Sequence, residues 1–136
     1  MTIGQRILRV SIGVLALFYL STGVFFYFFP HDAFGLLPAY YGEFNVHFVK
    51  DAGLAFSSSG ILLLAGILRQ RVELPYLYGG CLFVFLHAGF HMQMLVAGMV
   101  QDAFIAYEVS QVIAPSLILL LLVMCLRKAT QSYDDK

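Results

Sequence analysis

Four long apolar segments constrain this chain more than any other feature of its sequence. They cover residues 7–29, 45–68, 76–98 and 103–126. At about 1.5 Å per residue, a helix of that length crosses the roughly 30 Å hydrocarbon core of a bilayer. Because the segments lack a period-two alternation of apolar and polar residues, helices are expected rather than a membrane β-barrel. The sequence therefore predicts an all-α integral membrane bundle of four antiparallel transmembrane helices, in a single domain covering residues 1–136.

Composition agrees with a membrane location. The chain of 136 residues is 60% hydrophobic and 12% charged, whereas soluble domains contain about one quarter charged residues. The formal net charge is zero, which gives no indication of nucleic-acid binding. The lipid bilayer is the expected partner. The first apolar segment is longer than the core of a signal peptide, so it is expected to be an uncleaved first span.

Basic residues lie at alternate ends of the segments. One side of the predicted bundle contains Arg6, Arg9, Arg69, Arg71, Arg127, Lys128 and Lys136. The connections on the opposite side contain the acidic residues Asp32, Glu43 and Asp102 and no lysine or arginine. The positive-inside rule then predicts that both termini are cytoplasmic. In a bacterium this is a multi-pass protein of the inner membrane, with the acidic side facing the periplasm.

Ionisable residues interrupt three of the four segments, and charged groups at membrane depth are costly and often functional. His47 and Asp51 are four residues apart in the second segment, and His87 and His91 are four apart in the third. Counted from the outer face, Asp51 and His91 lie roughly 10 Å deep and Glu108 about 8 Å deep. The sequence therefore predicts a buried pocket with Asp51, His91 and Glu108 at its core and His47 and His87 flanking.

The residue types in this pocket allow two kinds of chemistry. Imidazole and carboxylate groups bind zinc, iron or copper, and His47, Asp51, His87 and His91 form a possible ligand set. Met94 lies on the same face of the third segment as His87 and His91, and its thioether favours copper among these metals. Histidines on different helices can also ligate haem. A cluster of histidine and carboxylate groups can instead bind and relay protons.

Each of these residues also has a structural interpretation. Histidines in membrane helices often form hydrogen bonds to neighbouring helices. Lys50 can extend to the headgroups, and Glu108 can be neutral. Pro115 cannot donate to the carbonyl of Gln111 and leaves an acceptor free inside the bundle. A separate stripe of Gly53, Ser57 and Gly60 favours close helix packing.

Three hypotheses for function remain open on these observations. The first is a small membrane protein whose outer pocket serves redox, metal or haem chemistry, as an accessory subunit. The second is a proton-coupled module that binds or transports a small solute or lipid. The third is a purely structural subunit of a larger membrane complex, whose partners would be other membrane subunits or further copies of the chain. The sequence leaves open whether the protein is an enzyme.

Two motifs carry a resemblance to a known group. At N-V-H-F-V-K-D-A-G and L-H-A-G-F-H, the chain resembles small bacterial four-span proteins of the DoxX-like group. The resemblance covers the number of spans, the length, and the pair Lys50 and Asp51 followed by Gly53. It implies a four-helix inner-membrane protein, and some members of the group are linked to quinone or thiol redox chemistry. The histidines do not map onto the group, so the resemblance assigns no site residue.

Small multidrug transporters are similar to this chain in size and number of spans. Their working carboxylate lies in the middle of the first span. The first apolar segment here, residues 7–29, contains no acidic residue. The sequence therefore does not favour that class of transporter.

Overall fold

The computed structural model describes residues 2–69 and 72–134, the last three of them by their backbone alone. Within these ranges the chain is helical and forms no strand. The long helices are α1 (Ile3–Phe28), α3 (Val46–Leu68), α4 (Leu74–Val96) and α6 (Ala114–Asp134), and the short helices are α2 (Pro30–Gly35) and α5 (Asp102–Glu108). A 3₁₀ turn covers Ala39–Tyr41 and a π-helical turn covers Val109–Ile113. Arg71 and Lys136 of the predicted basic side lie outside the described residues.

Four helical stretches in the described chain are long and apolar enough to cross a membrane. They are α1, α3, α4 and the continuous stretch Asp102–Gln131, which runs through α5, the π-helical turn and most of α6. The predicted all-α fold, with four segments that could span a membrane, is therefore confirmed. The boundaries differ from the predicted ones by a few residues at several ends.

The start of α1 shifts by four residues, since the helix begins at Ile3 rather than residue 7. Thr2 forms a capping box with Gln5: its hydroxyl oxygen accepts from the Gln5 N–H at 3.2 Å, and its own N–H donates to Gln5 Oε1 at 2.8 Å. This pairing satisfies two N–H groups at the helix start. At the other end of the bundle, α4 ends before Gly98, whose φ of +67° favours glycine.

Glycines fix how α3 packs against α1. A Cβ atom added to Gly60 would lie 2.7 Å from both the Ala16 carbonyl oxygen and the Leu20 nitrogen, and one on Gly53 would lie 2.8 Å from the Gly23 carbonyl oxygen. Backbone contact this close requires residues without side chains. The face of α3 that carries Gly53 and Gly60 therefore lies against α1, which sets the rotation of α3 about its own axis.

Hydrogen bonds gather three helix ends at the basic side of the bundle. The Gln5 side-chain amide at the start of α1 donates to the Ala129 carbonyl near the end of α6 at 2.9 Å. Arg9 Nη1 donates to the carbonyls of Ile67 and Arg69 at the end of α3, at 3.3 and 3.0 Å. The start of α1 and the ends of α3 and α6 therefore lie at the same end.

The apolar core occupies the half of the bundle nearest this basic end. Its fully buried members come from all four long helices and include Ile12, Leu63, Leu77, Leu119 and Val123. Each lies in the half of its spanning stretch that is closer to the basic end, with Asp102–Gln131 taken as the fourth stretch. The opposite half contains the buried polar side chains His91 and Glu108. The two halves of one bundle thus have different interiors.

Candidate functional site

The site is built on a buried contact between His91 and Glu108. His91 lies near the end of α4 and is 1% exposed, and Glu108 is the last residue of α5 and is 0% exposed. The imidazole Nδ1 is hydrogen-bonded to Glu108 Oε2. The structure thus brings together the two predicted site residues that come from the third and fourth apolar segments.

Two tyrosines that sequence reasoning did not include complete the cluster. The Tyr41 hydroxyl donates to Glu108 Oε1 at 2.8 Å, and the Tyr40 hydroxyl donates to the same oxygen. The Tyr41 hydroxyl also lies 3.4 Å from His91 Nδ1. Both carboxylate oxygens of Glu108 are therefore occupied. We call Tyr40, Tyr41, His91 and Glu108 the outer cluster.

The phenols of Tyr40 and Tyr41 are held in the protonated, donating form. Burial, and next the adjacent Glu108 carboxylate, raise the pKa of both hydroxyls well above the usual value of 10.0 for tyrosine. Burial disfavours the charged phenolate, and the carboxylate disfavours a second negative charge beside it. At neutral pH both phenols therefore serve as hydrogen-bond donors to Glu108.

The shape of the segment between α1 and α3 places these phenols over the bundle. Pro30 starts α2 at its first position, where a helix does not need the missing N–H. Pro38, which is buried, precedes the 3₁₀ turn that carries the tyrosines. Gly42 follows the turn with a φ of +94°, a conformation that favours glycine. Asn45 then caps α3 by accepting the N–H groups of the second and third residues of that helix.

His87 lies one turn below His91, on the side of the apolar core. The two imidazole centroids are 4.4 Å apart. Phe83 stacks on the His87 ring at 5.5 Å, and Phe56 meets it edge-on at 5.4 Å. No side chain in residues 2–69 and 72–131 forms a hydrogen bond with His87. This histidine is packed by aromatic rings and touches the outer cluster through His91.

His47 and Asp51 are not part of this cluster. They pair with each other along α3, with His47 Nε2 at 3.4 Å from Asp51 Oδ2, and their side chains are 87% and 59% exposed. Asp51 was predicted to lie at the core of the pocket with His91 and Glu108. Because Gly53 holds the opposite face of α3 against α1, a turn of about 100° per residue directs Asp51 away from the bundle.

The predicted metal ligands form two separate pairs rather than one set. His87 lies beside His91, and His47 lies beside Asp51. Among the side chains of residues 2–69 and 72–131, no group of three or more His, Cys, Asp or Glu is arranged to hold a metal ion. Within that described part of the chain, the structure therefore does not assemble the four-residue ligand set that the sequence spacing indicated.

A π-helical turn directly follows Glu108. Its wider hydrogen bond joins the Ala114 N–H to the Val109 carbonyl, and Pro115 comes next and has no N–H to donate. In a regular α-helix Gln111, three residues after Glu108, would share its face, but Gln111 is exposed whereas Glu108 is buried. The π-helical turn shifts the helical register between them. Such turns occur frequently at functional sites.

Comparisons with protein-family models, curated proteins and solved structures found no match for this chain. The class of protein is therefore defined by the fold and the site. Four helices of the described chain are apolar and long enough to span a membrane, as expected of a multi-pass membrane protein. Near one end, a buried glutamate and histidine are hydrogen-bonded to two tyrosines of a connecting segment.

Proposed function

We propose that the chain is a multi-pass protein of a bacterial inner membrane, with both termini in the cytoplasm and the outer cluster near the periplasmic face. The bonds of Gln5 to Ala129 and of Arg9 to Arg69 support this orientation, because they gather arginine-rich helix ends on one side. The positive-inside rule assigns such a side to the cytoplasm. The cluster then lies beneath the opposite surface, where a solute or a proton enters from outside.

We further propose that the outer cluster is the proton-coupled gate of a module that binds or transports a small solute or lipid. The observation that carries this proposal is the bonding of Glu108. A single buried carboxylate accepts hydrogen bonds from Tyr40 and Tyr41 of the connecting segment and from His91 of α4. The segment that covers the bundle is therefore attached to it through a group that can be protonated.

Protonation of that carboxylate weakens its hold on the tyrosines. Hydrogen bonds to an ionised acceptor are roughly twice as strong as those between neutral groups. When the Glu108 carboxylate itself takes up a proton and becomes neutral, the Tyr40 and Tyr41 phenols lose their charged acceptor, and the connecting segment is released. Proton uptake from outside and opening of the cover thus become linked equilibria.

The cost of burying the cluster favours a gate over a plain packing contact. Replacing a buried ionic pair by apolar side chains of similar volume is often neutral or stabilising. The half of the same bundle nearest the basic end is packed with apolar side chains, including Ile12, Leu63, Leu77 and Leu119. One half of the bundle is thus filled by apolar side chains, whereas the half beneath the connecting segment contains titratable ones.

Hydrogen–deuterium exchange of residues 36–44 tests this gate. The purified protein in detergent or nanodiscs is followed from about pH 8 to about pH 3.5, a range that brackets the ordinary pKa values of glutamate and histidine. After correction for intrinsic exchange, we expect opening to increase at least about tenfold at the acidic end. Glu108→Gln should abolish this pH dependence, and the matched variant Asp51→Asn should preserve it. Equal protection at every pH in the native protein would contradict the gate.

A metal- or haem-binding role is the second candidate. The observation that favours it is the bond between His91 Nδ1 and Glu108, because metal-ligating histidines usually place their other ring nitrogen on a carboxylate or carbonyl. His91 Nε2 and the adjacent His87 ring would be the ligands for copper, iron, zinc or a haem iron, in an accessory subunit with redox chemistry.

Metal analysis and an absorption spectrum of the purified protein separate the two candidates. If the second is right, stoichiometric metal or a Soret band is lost in His91→Ala and kept in His31→Ala. His31 is a suitable control because it is exposed and stacks on Phe44 at 4.1 Å, away from the outer cluster. A protein with neither metal nor chromophore would reject this candidate.

A further inference from the structure

The basic end of α6 carries a groove that the proposed gate does not use. Met124, Arg127, Lys128 and Gln131 line a surface groove of about 280 Å³. Their spacing of three, four and seven residues places them on one face of the helix. All four side chains are exposed. The groove therefore continues from apolar helix surface at Met124 to polar and cationic surface at the other three.

The two cations of the groove lack acidic partners within the described structure. Among the side chains of residues 2–69 and 72–131, the ion pairs are those of His47 with Asp51 and of His91 with Glu108. Arg127 and Lys128 lie within one turn of each other, so their positive charges add at one place. A groove with an amide donor and two cations that form no ion pair with the described side chains is complementary to an anionic oxygen group.

We propose that this groove binds the phosphodiester headgroup of an anionic phospholipid. Arg127 and Lys128 would contact the phosphate oxygens, and the Gln131 amide would hydrogen-bond to the polar substituent of the headgroup. Met124 lies one helical turn toward the apolar part of α6, where it would contact the start of the acyl chains. The order of side chains along α6 thus matches the order of groups along a phospholipid, from acyl chain to headgroup.

The location of the groove supports a lipid as the source of the phosphate. It lies at the end of the spanning stretch Asp102–Gln131, which has the highest mean hydropathy of the four, at 2.4. The end of such a helix meets the headgroup region of the bilayer. Basic pockets at the cytoplasmic ends of membrane helices bind anionic lipid headgroups.

Native mass spectrometry of the full chain released from detergent tests this site. The protein is titrated with dioctanoyl phosphatidylglycerol, with dioctanoyl phosphatidylcholine of equal chain length, and with inorganic phosphate or glycerol phosphate. We expect the anionic lipid to bind more tightly than the zwitterionic one. The variant Arg127→Gln/Lys128→Gln should reduce that preference by about 30-fold. Each cation is expected to strengthen binding of an anionic headgroup about five- to sixfold, and the variant removes two.

Arg69→Gln is the matched control. It removes an exposed cation at the same end of the bundle from a residue that does not line the groove. We expect the lipid preference of this variant to stay within about twofold of the native value. An equal loss in Arg69→Gln and in the double variant would overturn the site in favour of diffuse charge attraction. An absence of preference for the anionic lipid would overturn it as well. Displacement by soluble phosphate at the same concentration would retain the phosphate site and overturn its assignment to a lipid.

Discussion

Two pairs of a histidine and a carboxylate lie toward the same end of the described bundle, in opposite surroundings. His91 and Glu108 come from different helices, are fully buried and are covered by two tyrosines. His47 and Asp51 lie one turn apart on α3 and are mostly exposed. Residues at a similar depth below the outer end of the bundle are therefore not buried to a similar extent. The rotation of each helix about its axis decides which pair faces the interior, and glycine contacts set that rotation for α3.

The largest difference between the pairs is expected on removal of one carboxylate. Glu108→Ala leaves His91 and both tyrosine hydroxyls without their acceptor in a buried place, and should lower the free energy of unfolding by about 3–5 kcal/mol. Asp51→Ala removes an exposed group and should change it by about 0.5 kcal/mol or less. Unfolding of both variants in mixed micelles measures this difference. Similar losses in both variants would contradict the assignment of one pair to the interior.

The rotation of α3 can be tested at the glycines that fix it. Gly60→Ala places a methyl group 2.7 Å from backbone atoms of Ala16 and Leu20, and overpacking of this kind costs about 1–3 kcal/mol. Gly79→Ala, on α4, is the control because its Cβ would meet only the Leu62 side chain, at 3.4 Å. Its expected effect is neutral or stabilising by up to about 1 kcal/mol, from helix propensity. An equal response of both variants in unfolding experiments would show that close contact with α1 does not position α3.

Alkaline pH should weaken the hydrogen bonds that cover the buried pair, His91 and Glu108, and leave the exposed pair, His47 and Asp51, unchanged. We call the first the covered pair. Burial and Glu108 raise the pKa of Tyr41 above its usual value of 10.0. Below pH 10 the phenol is protonated in the folded and unfolded states alike, and its contribution to stability is fully present. Above pH 10 the unfolded chain releases this proton first, so stability falls by up to about 1.4 kcal/mol per pH unit for each such phenol.

Thermal unfolding between about pH 9 and pH 11 measures this loss. Tyr41→Phe should be less stable than the native protein at pH 9 and should show a shallower decline above pH 10. Tyr78→Phe, which alters an exposed tyrosine of α4, should decline as the native protein does. A native-like slope in Tyr41→Phe would contradict the contribution of this phenol to the covered pair.

Sequence reasoning predicted the helices and one half of the site, for identifiable physical reasons. Hydrophobic length fixes how deep a residue lies, so depth alone placed His91 and Glu108 at one level. Depth carries no information on rotation, and Asp51 was for that reason grouped with them although it faces outward. The contacts of Tyr40 and Tyr41 depend on how a 15-residue connection folds back, which no periodicity encodes; two adjacent tyrosines between a proline and a glycine are the available signal.

Pro115 gives an intermediate case. The sequence indicated that it would free the carbonyl of Gln111, and the described helix has a π-helical turn on the N-terminal side of this proline. The exposure of Gln111 could not be predicted from a spacing of 3.6 residues per turn, because the wider π-helical turn changes which residues share a face. Local chemistry was thus predictable at this position, and the register after it was not.

The smallest expected effect is the coupling between His47 and Asp51. A double-mutant cycle with His47→Ala and Asp51→Ala should give about 0.3–0.5 kcal/mol, as for other exposed pairs spaced by four residues on a helix. A histidine forms an ion pair only when it is protonated, so the coupling should be larger at about pH 5 than at about pH 8. A coupling of several kcal/mol would be evidence that the pair is covered in the membrane, by lipid headgroups or by another chain, and the contrast with His91 and Glu108 would then hold for the isolated protein alone.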